Sequence, residues 1–281
     1  MVRLGRRHRS ASLSGGSRVC VALATAWLLG STVVGCGPMP AAGGAGQDIV
    51  TNSDEPALHK RARVRLELAT AYYAQGKLAP ALDEVKQAIS IDPGISDAFS
   101  LRGLIYDGMG DDGLAEASYR RALQIDAKNA GAMHNYGWFL CQRKRYDEAD
   151  AMFVAAMAVP QYRDVPQTSM VRGVCFGRQG KLDEAEKALM HAYEIDAGNP
   201  TIAVNLTDIL YRRGEYERAR FYIRRVNASQ ELANAESLWL AAKIEHRLSN
   251  RQGERDFGNQ LRNRFPSSRE AVAFEAGRFD E

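Results

Sequence analysis

The chain has 281 residues, 37 of them Lys or Arg and 34 Asp or Glu, with a formal net charge of +3 and 45% hydrophobic residues. Five of the basic residues fall within residues 1–18 and the first acid is Asp48, so the chain from residue 36 onward carries a net charge of −2; with no basic stripe left, there is no electrostatic case for nucleic-acid binding. A Gly-rich phosphate loop ahead of a helix, a His-Glu-x-x-His pair and a Cys-x-x-Cys pair are all missing, which removes the usual signatures of nucleotide, metal and redox cofactors.

Residues 1–35 read as a targeting segment. Arg3, Arg6, Arg7, Arg9 and Arg18 suit a flank held on the cytoplasmic side, and Val19 to Val34 follows as an apolar run of 16 residues. That is short of the roughly 20 residues a permanent membrane helix needs, and no charged stop-transfer flank follows it. A cleaved signal is therefore expected, in preference to a retained anchor helix. The run ends Val33-Val34-Gly35-Cys36-Gly37, which resembles the bacterial lipobox. That resemblance implies that Cys36 is diacylated and becomes the new N-terminus; the alternative is an ordinary signal with an incidental cysteine. Two or three acyl chains hold a protein on a membrane where one is marginal. Gly37 in place of aspartate implies sorting to the outer membrane of a Gram-negative cell. Residues 36–56 are mostly Gly, Ala, Pro and small polar side chains, too poor in bulky groups to build a core, and read as a lipidated flexible tether.

The rest of the chain repeats. Gly76-Lys77-Leu78-Ala79-Pro80-Ala81 aligns with Gly110 to Ala115, Lys144 to Ala149, Gly180 to Ala185 and Gly214 to Ala219, with a weaker sixth copy ending at Gly253. The closing small residues are 34, 34, 36, 34 and 34 apart. Within each unit a small residue (Ala69, Gly103, Gly137, Gly173, Thr207, Ala241) precedes a large apolar one (Val85, Tyr119, Phe153, Leu189, Ile223, Phe257) by the same interval. This pattern resembles the tetratricopeptide repeat, a pair of antiparallel helices. The resemblance implies an all-α fold, a right-handed superhelical solenoid of about six tetratricopeptide repeats over 57–268, followed by a C-terminal tail at 269–281. Such hairpins cannot bury their apolar faces alone, so neighbours stack.

Between Ala158 and Pro166 the third unit carries two extra residues and two prolines, which bar helix continuation; its second helix is expected to end early, at a neutral insertion or a functional loop. The Asp-Glu pairs, such as Asp147-Glu148 and Asp183-Glu184, fall where a helix begins and complement its exposed amides. The histidines are scattered. Among them His134 is expected on the inner surface, either solvated or touching a partner. With Cys20 in the signal and Cys36 lipidated, Cys141 and Cys175 remain. They stand in first helices of adjacent units, and an oxidising compartment permits either a disulfide or two buried thiols.

Asn135-Tyr136-Gly137-Trp138-Phe139-Leu140-Cys141, Leu206-Thr207-Asp208-Ile209-Leu210-Tyr211 and the stretch Gln260 to Pro266, set behind a lipobox, resemble the PilW/PilF family of type IV pilus biogenesis lipoproteins. The resemblance implies a non-enzymatic pilotin on the periplasmic side of the outer membrane, without cofactor, metal or small-molecule substrate. It would bind subunits of the secretin pore and help them reach the membrane and multimerise. An apolar segment of the partner would lie in the inner groove, with Leu66, Tyr73, Leu104 and Trp138 as anchors or, alternatively, as ordinary packing between repeats. A periplasmic adaptor for cell-wall enzymes or another envelope assembly machine would carry the same features.

Overall fold

The computed structural model describes residues 56–280, and among these residues there are thirteen α-helices and no strand. The expected signal segment, Cys36 and all of the expected tether but Pro56 lie outside the described residues. The first hairpin is α1 (Ala57–Ala74) with α2 (Leu78–Ile91), the second α3 (Ser96–Met109) with α4 (Asp112–Ile125), and the third α5 (Ala130–Gln142) with α6 (Tyr146–Met157). Then come α7 (Val165–Gln179) with α8 (Leu182–Ile195), α9 (Pro200–Arg212) with α10 (Tyr216–Asn227), and α11 (Ala235–Arg247) with α12 (Arg251–Arg264). Residues expected as a tail contain a last short helix, α13 (Arg269–Glu275). Each second helix packs on the first helix of the next hairpin, and successive first helices also meet, so the array is an all-α tetratricopeptide solenoid held by neighbour contacts. No described helix is long and apolar enough to cross a membrane.

The hairpin turns explain the recurring glycine. Gly76, Gly110, Gly180 and Gly214 all sit at positive φ, between 71° and 85°, where a side chain is penalised. The next residue's N–H then bonds back five residues, as Asp111 does to the Tyr106 carbonyl at 2.9 Å and Glu215 to that of Leu210 at 2.9 Å, closing the orphan carbonyls of the first helix. In the third hairpin Lys144 (φ 61°) fills this place, and in the sixth Ser249 (φ 56°) does.

The two helices of a unit approach closely where small and large residues face each other. A Cβ on Gly103 would lie 2.6 Å from the Tyr119 ring, one on Gly137 2.7 Å from Phe153, and one on Gly173 2.6 Å from Leu189. Thr207, the bulkier member of this series, is fully buried and donates its hydroxyl to the Ala203 carbonyl at 2.7 Å. Tyr119, Phe153, Leu189 and Ile223 are each at most 1% exposed. Their burial, on the order of 2 kcal/mol apiece, supplies much of the hairpin's cohesion.

Helix α6 ends at Met157, two residues shorter than α4 and α8, and Pro166 lies in the first turn of α7, just after Val165. At the C-terminal end α13 covers the last hairpin. Phe274 meets Trp239 edge-on and Phe279 meets it tilted, with centroids 6.4 and 5.2 Å away, and Phe279 lies flat on His246 at 4.1 Å.

Candidate partner-binding face

Four residues were expected to line the inner groove, and they lie on three successive first helices. Leu66 and Tyr73 are on α1, Leu104 on α3 and Trp138 on α5. All four are half-buried. Leu66, Tyr73 and Leu104 pack against the cluster of Ala69, Val85, Leu101 and Ile105, while Leu104 and Trp138 pack against that of Tyr136, Phe139 and Leu140. Each side chain is therefore held between repeats and still presents part of its surface to solvent. Leu104 belongs to both clusters and makes the apolar strip continuous across them.

Charged groups around the strip are mostly committed. Asp107 accepts from Arg143 at 2.7 Å, and Arg143 also contacts Asp112 and lies 3.7 Å from the centre of the Phe139 ring. Burial, and secondarily the Asp107 charge, push the Tyr73 phenol above its usual range, so it is a neutral donor at any physiological pH. On the far side of Trp138 the Arg178 guanidinium sits 4.6 Å from the ring centre, a cation–π contact. Arg178, with Val174, Asn205, Asp208 and Arg212, lines a small cleft of about 180 Å³ between α7 and α9. The apolar strip thus runs into a polar end. Sequence patterns missed Arg178, because nothing local marks a residue 40 positions beyond Trp138 as its neighbour.

His134 is tied down. Its Nδ1 is 2.8 Å from the Thr168 hydroxyl, which is also 2.8 Å from the Tyr162 hydroxyl in the inserted segment. Burial lowers its pKa, with the Asp164 charge opposing weakly. Rather than standing in the groove, its imidazole knits the insertion to α5. Cys141 and Cys175, on α5 and α7, have Cα atoms 5.9 Å apart and their sulfurs bonded, and both are nearly inaccessible. No cluster of His, Cys, Asp and Glu among the described residues is arranged to hold a metal. Among the described residues one carboxylate is buried: Glu245, 1% exposed, accepts from Arg224 and Asn250 at 2.8 and 2.7 Å. It fixes α11 to α10 and to the turn before α12. What the partly exposed strip offers chemically is apolar and aromatic contact with hydrogen-bond donors at its edge, which suits a polypeptide segment.

Models of the tetratricopeptide repeat match residues 96–129, 129–159 and 178–242. The type IV pilus assembly protein PilF of Pseudomonas aeruginosa is 28% identical over 211 residues, 75% of this chain and 83% of that protein. The crystal structure of PilW, described as a widely conserved type IV pilus biogenesis factor, superposes with a TM-score of 0.70 at 28% identity, covering 76% of this chain and 98% of PilW. The structure of Pseudomonas aeruginosa PilF superposes with a TM-score of 0.67 at 27% identity, covering 78% of this chain and 99% of that one.

Proposed function

The chain is a tetratricopeptide-repeat protein of the PilW/PilF type, homologous to type IV pilus biogenesis factors, and from that premise we propose that it is an outer-membrane pilotin. In this reading residues 1–35 are removed and acyl chains on Cys36 fix the protein to the periplasmic face of the outer membrane. Residues 36–56 span the gap to the solenoid over 57–268. A segment of a secretin subunit docks along Leu66, Tyr73, Leu104 and Trp138. The subunits are thereby brought to the membrane where they multimerise into the pore that extrudes the pilus.

The observation that supports the reading best is the superposition on PilW over 98% of that chain. Physics supports it: a half-buried apolar strip binds a peptide without any catalytic group, and the lipid supplies the address. Deleting the gene and running envelope extracts on a non-boiled gel tests it. Secretin multimer is expected to vanish or to sit in the inner membrane while monomer persists. Unchanged multimer, with cell-wall enzymes dominating an affinity pull-down, would replace the pilotin by an adaptor for those enzymes.

A further inference from the structure

Helix α1 has a second face, and nothing among the described residues covers it. In every later hairpin the corresponding side of the first helix packs on the preceding repeat; α1 has no predecessor among the described residues, and it exposes Leu58 (58%), Val64 (57%) and Leu68 (38%). Beside them stand Lys60 and Arg61, both exposed and in no ion pair among the described residues, whereas Arg63 is matched by Glu67 and Arg65 by Glu84. Val64, Arg61 and Ala57, with Lys60, Gln87 and Ile91, border a shallow hollow of about 770 Å³ between α1 and α2. We propose that this apolar and basic face rests on an anionic lipid surface, so that the solenoid lies against the membrane by its first repeat.

Three features select that occupant. The first is placement. The proposal rests on the lipidation of Cys36 argued above, and Cys36 is only 20 residues from Pro56. Even a fully extended chain of that length reaches at most about 70 Å, so the first repeat is the part of the solenoid confined nearest the bilayer. A tethered face needs little intrinsic affinity to stay seated, because its local concentration at the surface is high. The second is charge. Lys60 and Arg61 attract phosphate headgroups, and the same charges oppose a second copy packed face to face, since a two-fold contact would set them against themselves. End-to-end stacking on the last repeat is blocked as well, because α13 already covers that end. The third is orientation. At about 100° per residue, Val64 and Leu68 lie on the side of α1 opposite Leu66 and Tyr73. A protein seated on lipid through the first pair keeps the second pair open to its partner.

The test uses the lipidated chain reconstituted into vesicles of phosphatidylcholine alone or mixed with phosphatidylglycerol. One fluorophore is placed through Gln87→Cys, a reference fluorophore through Lys187→Cys on α8, and a quencher is carried on the lipid headgroups. Quenching at residue 87 is expected to be several-fold stronger in the phosphatidylglycerol vesicles and to fall to the phosphatidylcholine level in high salt or in a K60E/R61E variant. Residue 187 should stay weakly quenched throughout. Equal quenching in both lipids, or quenching untouched by K60E/R61E, overturns the proposal, and so does a dimer in sedimentation that V64E dissociates. Co-flotation with vesicles separates this from the anchor: a chain that floats while residue 87 stays unquenched retains its anchor and loses this face. A chain that does not float loses both.

Discussion

At Lys144 the backbone takes a φ of 61°, in a place that Gly76, Gly110, Gly180 and Gly214 fill in four other hairpins. A side chain there crowds the preceding carbonyl, whereas glycine adopts this region freely. Lys144→Gly is therefore expected to stabilise the protein by about 1 kcal/mol, read as a higher urea midpoint with an unchanged slope. His134 gives a different signature. Its folded pKa is depressed by burial relative to an ordinary value of 6.5, so between that value and the lower folded one the unfolded chain binds the extra proton. Stability contributed by the neutral imidazole is thus intact above pH 6.5 and declines as pH falls through the folded pKa. The midpoint of thermal unfolding should show this decline, and His134→Gln should remove it. The glycine turns were legible because a positive φ leaves a residue-type mark. The burial of His134 was not, since Thr168, its partner, lies beyond two prolines on the other side of the insertion.

One set of lateral contacts between elements falls close to the repeat period. His59 meets Asp92 at a separation of 33, Asn129 meets Ser96 at 33, His134 meets Thr168 at 34 and Arg143 meets Asp107 at 36. Cys141 and Cys175, 34 apart, belong to this set, and their Cα atoms stand 5.9 Å apart although the alignment puts them two positions out of register. Closing a loop of that length is worth about 3–4 kcal/mol. A C141S/C175S variant is expected to lose that much in urea unfolding, and the unreduced denatured wild-type domain should show no reactive thiol at either position. The sequence was less informative about α13. Its seven residues are too few to show a helical period, and what holds it is a meeting of aromatic side chains, Trp239, Phe274 and Phe279, drawn from distant segments.

For the molecule as a whole, tiling was visible in advance because each unit repeats the same pairing of small against large residues, as Gly103 with Tyr119 and Gly137 with Phe153. The proposed docking strip was harder to read. Leu66, Tyr73, Leu104 and Trp138 serve packing and exposure together, and a pattern of apolar positions does not divide the two. Binding data would. An L66S/W138A variant is expected to keep its helicity and to lower secretin multimer on a non-boiled gel at least several-fold, while Phe221→Ser, 57% exposed on α10, leaves it unchanged. The covalent link between α5 and α7 also matters for mechanics. An array held by nearest neighbours peels from whichever end is pulled, and under the proposed lipid anchor on Cys36 that end is α1. Tension applied there would unravel α1 to α4 one hairpin after another, and on reaching the sulfur rung it would pass directly from Cys141 to Cys175, so that the 33 residues between them cannot be drawn out.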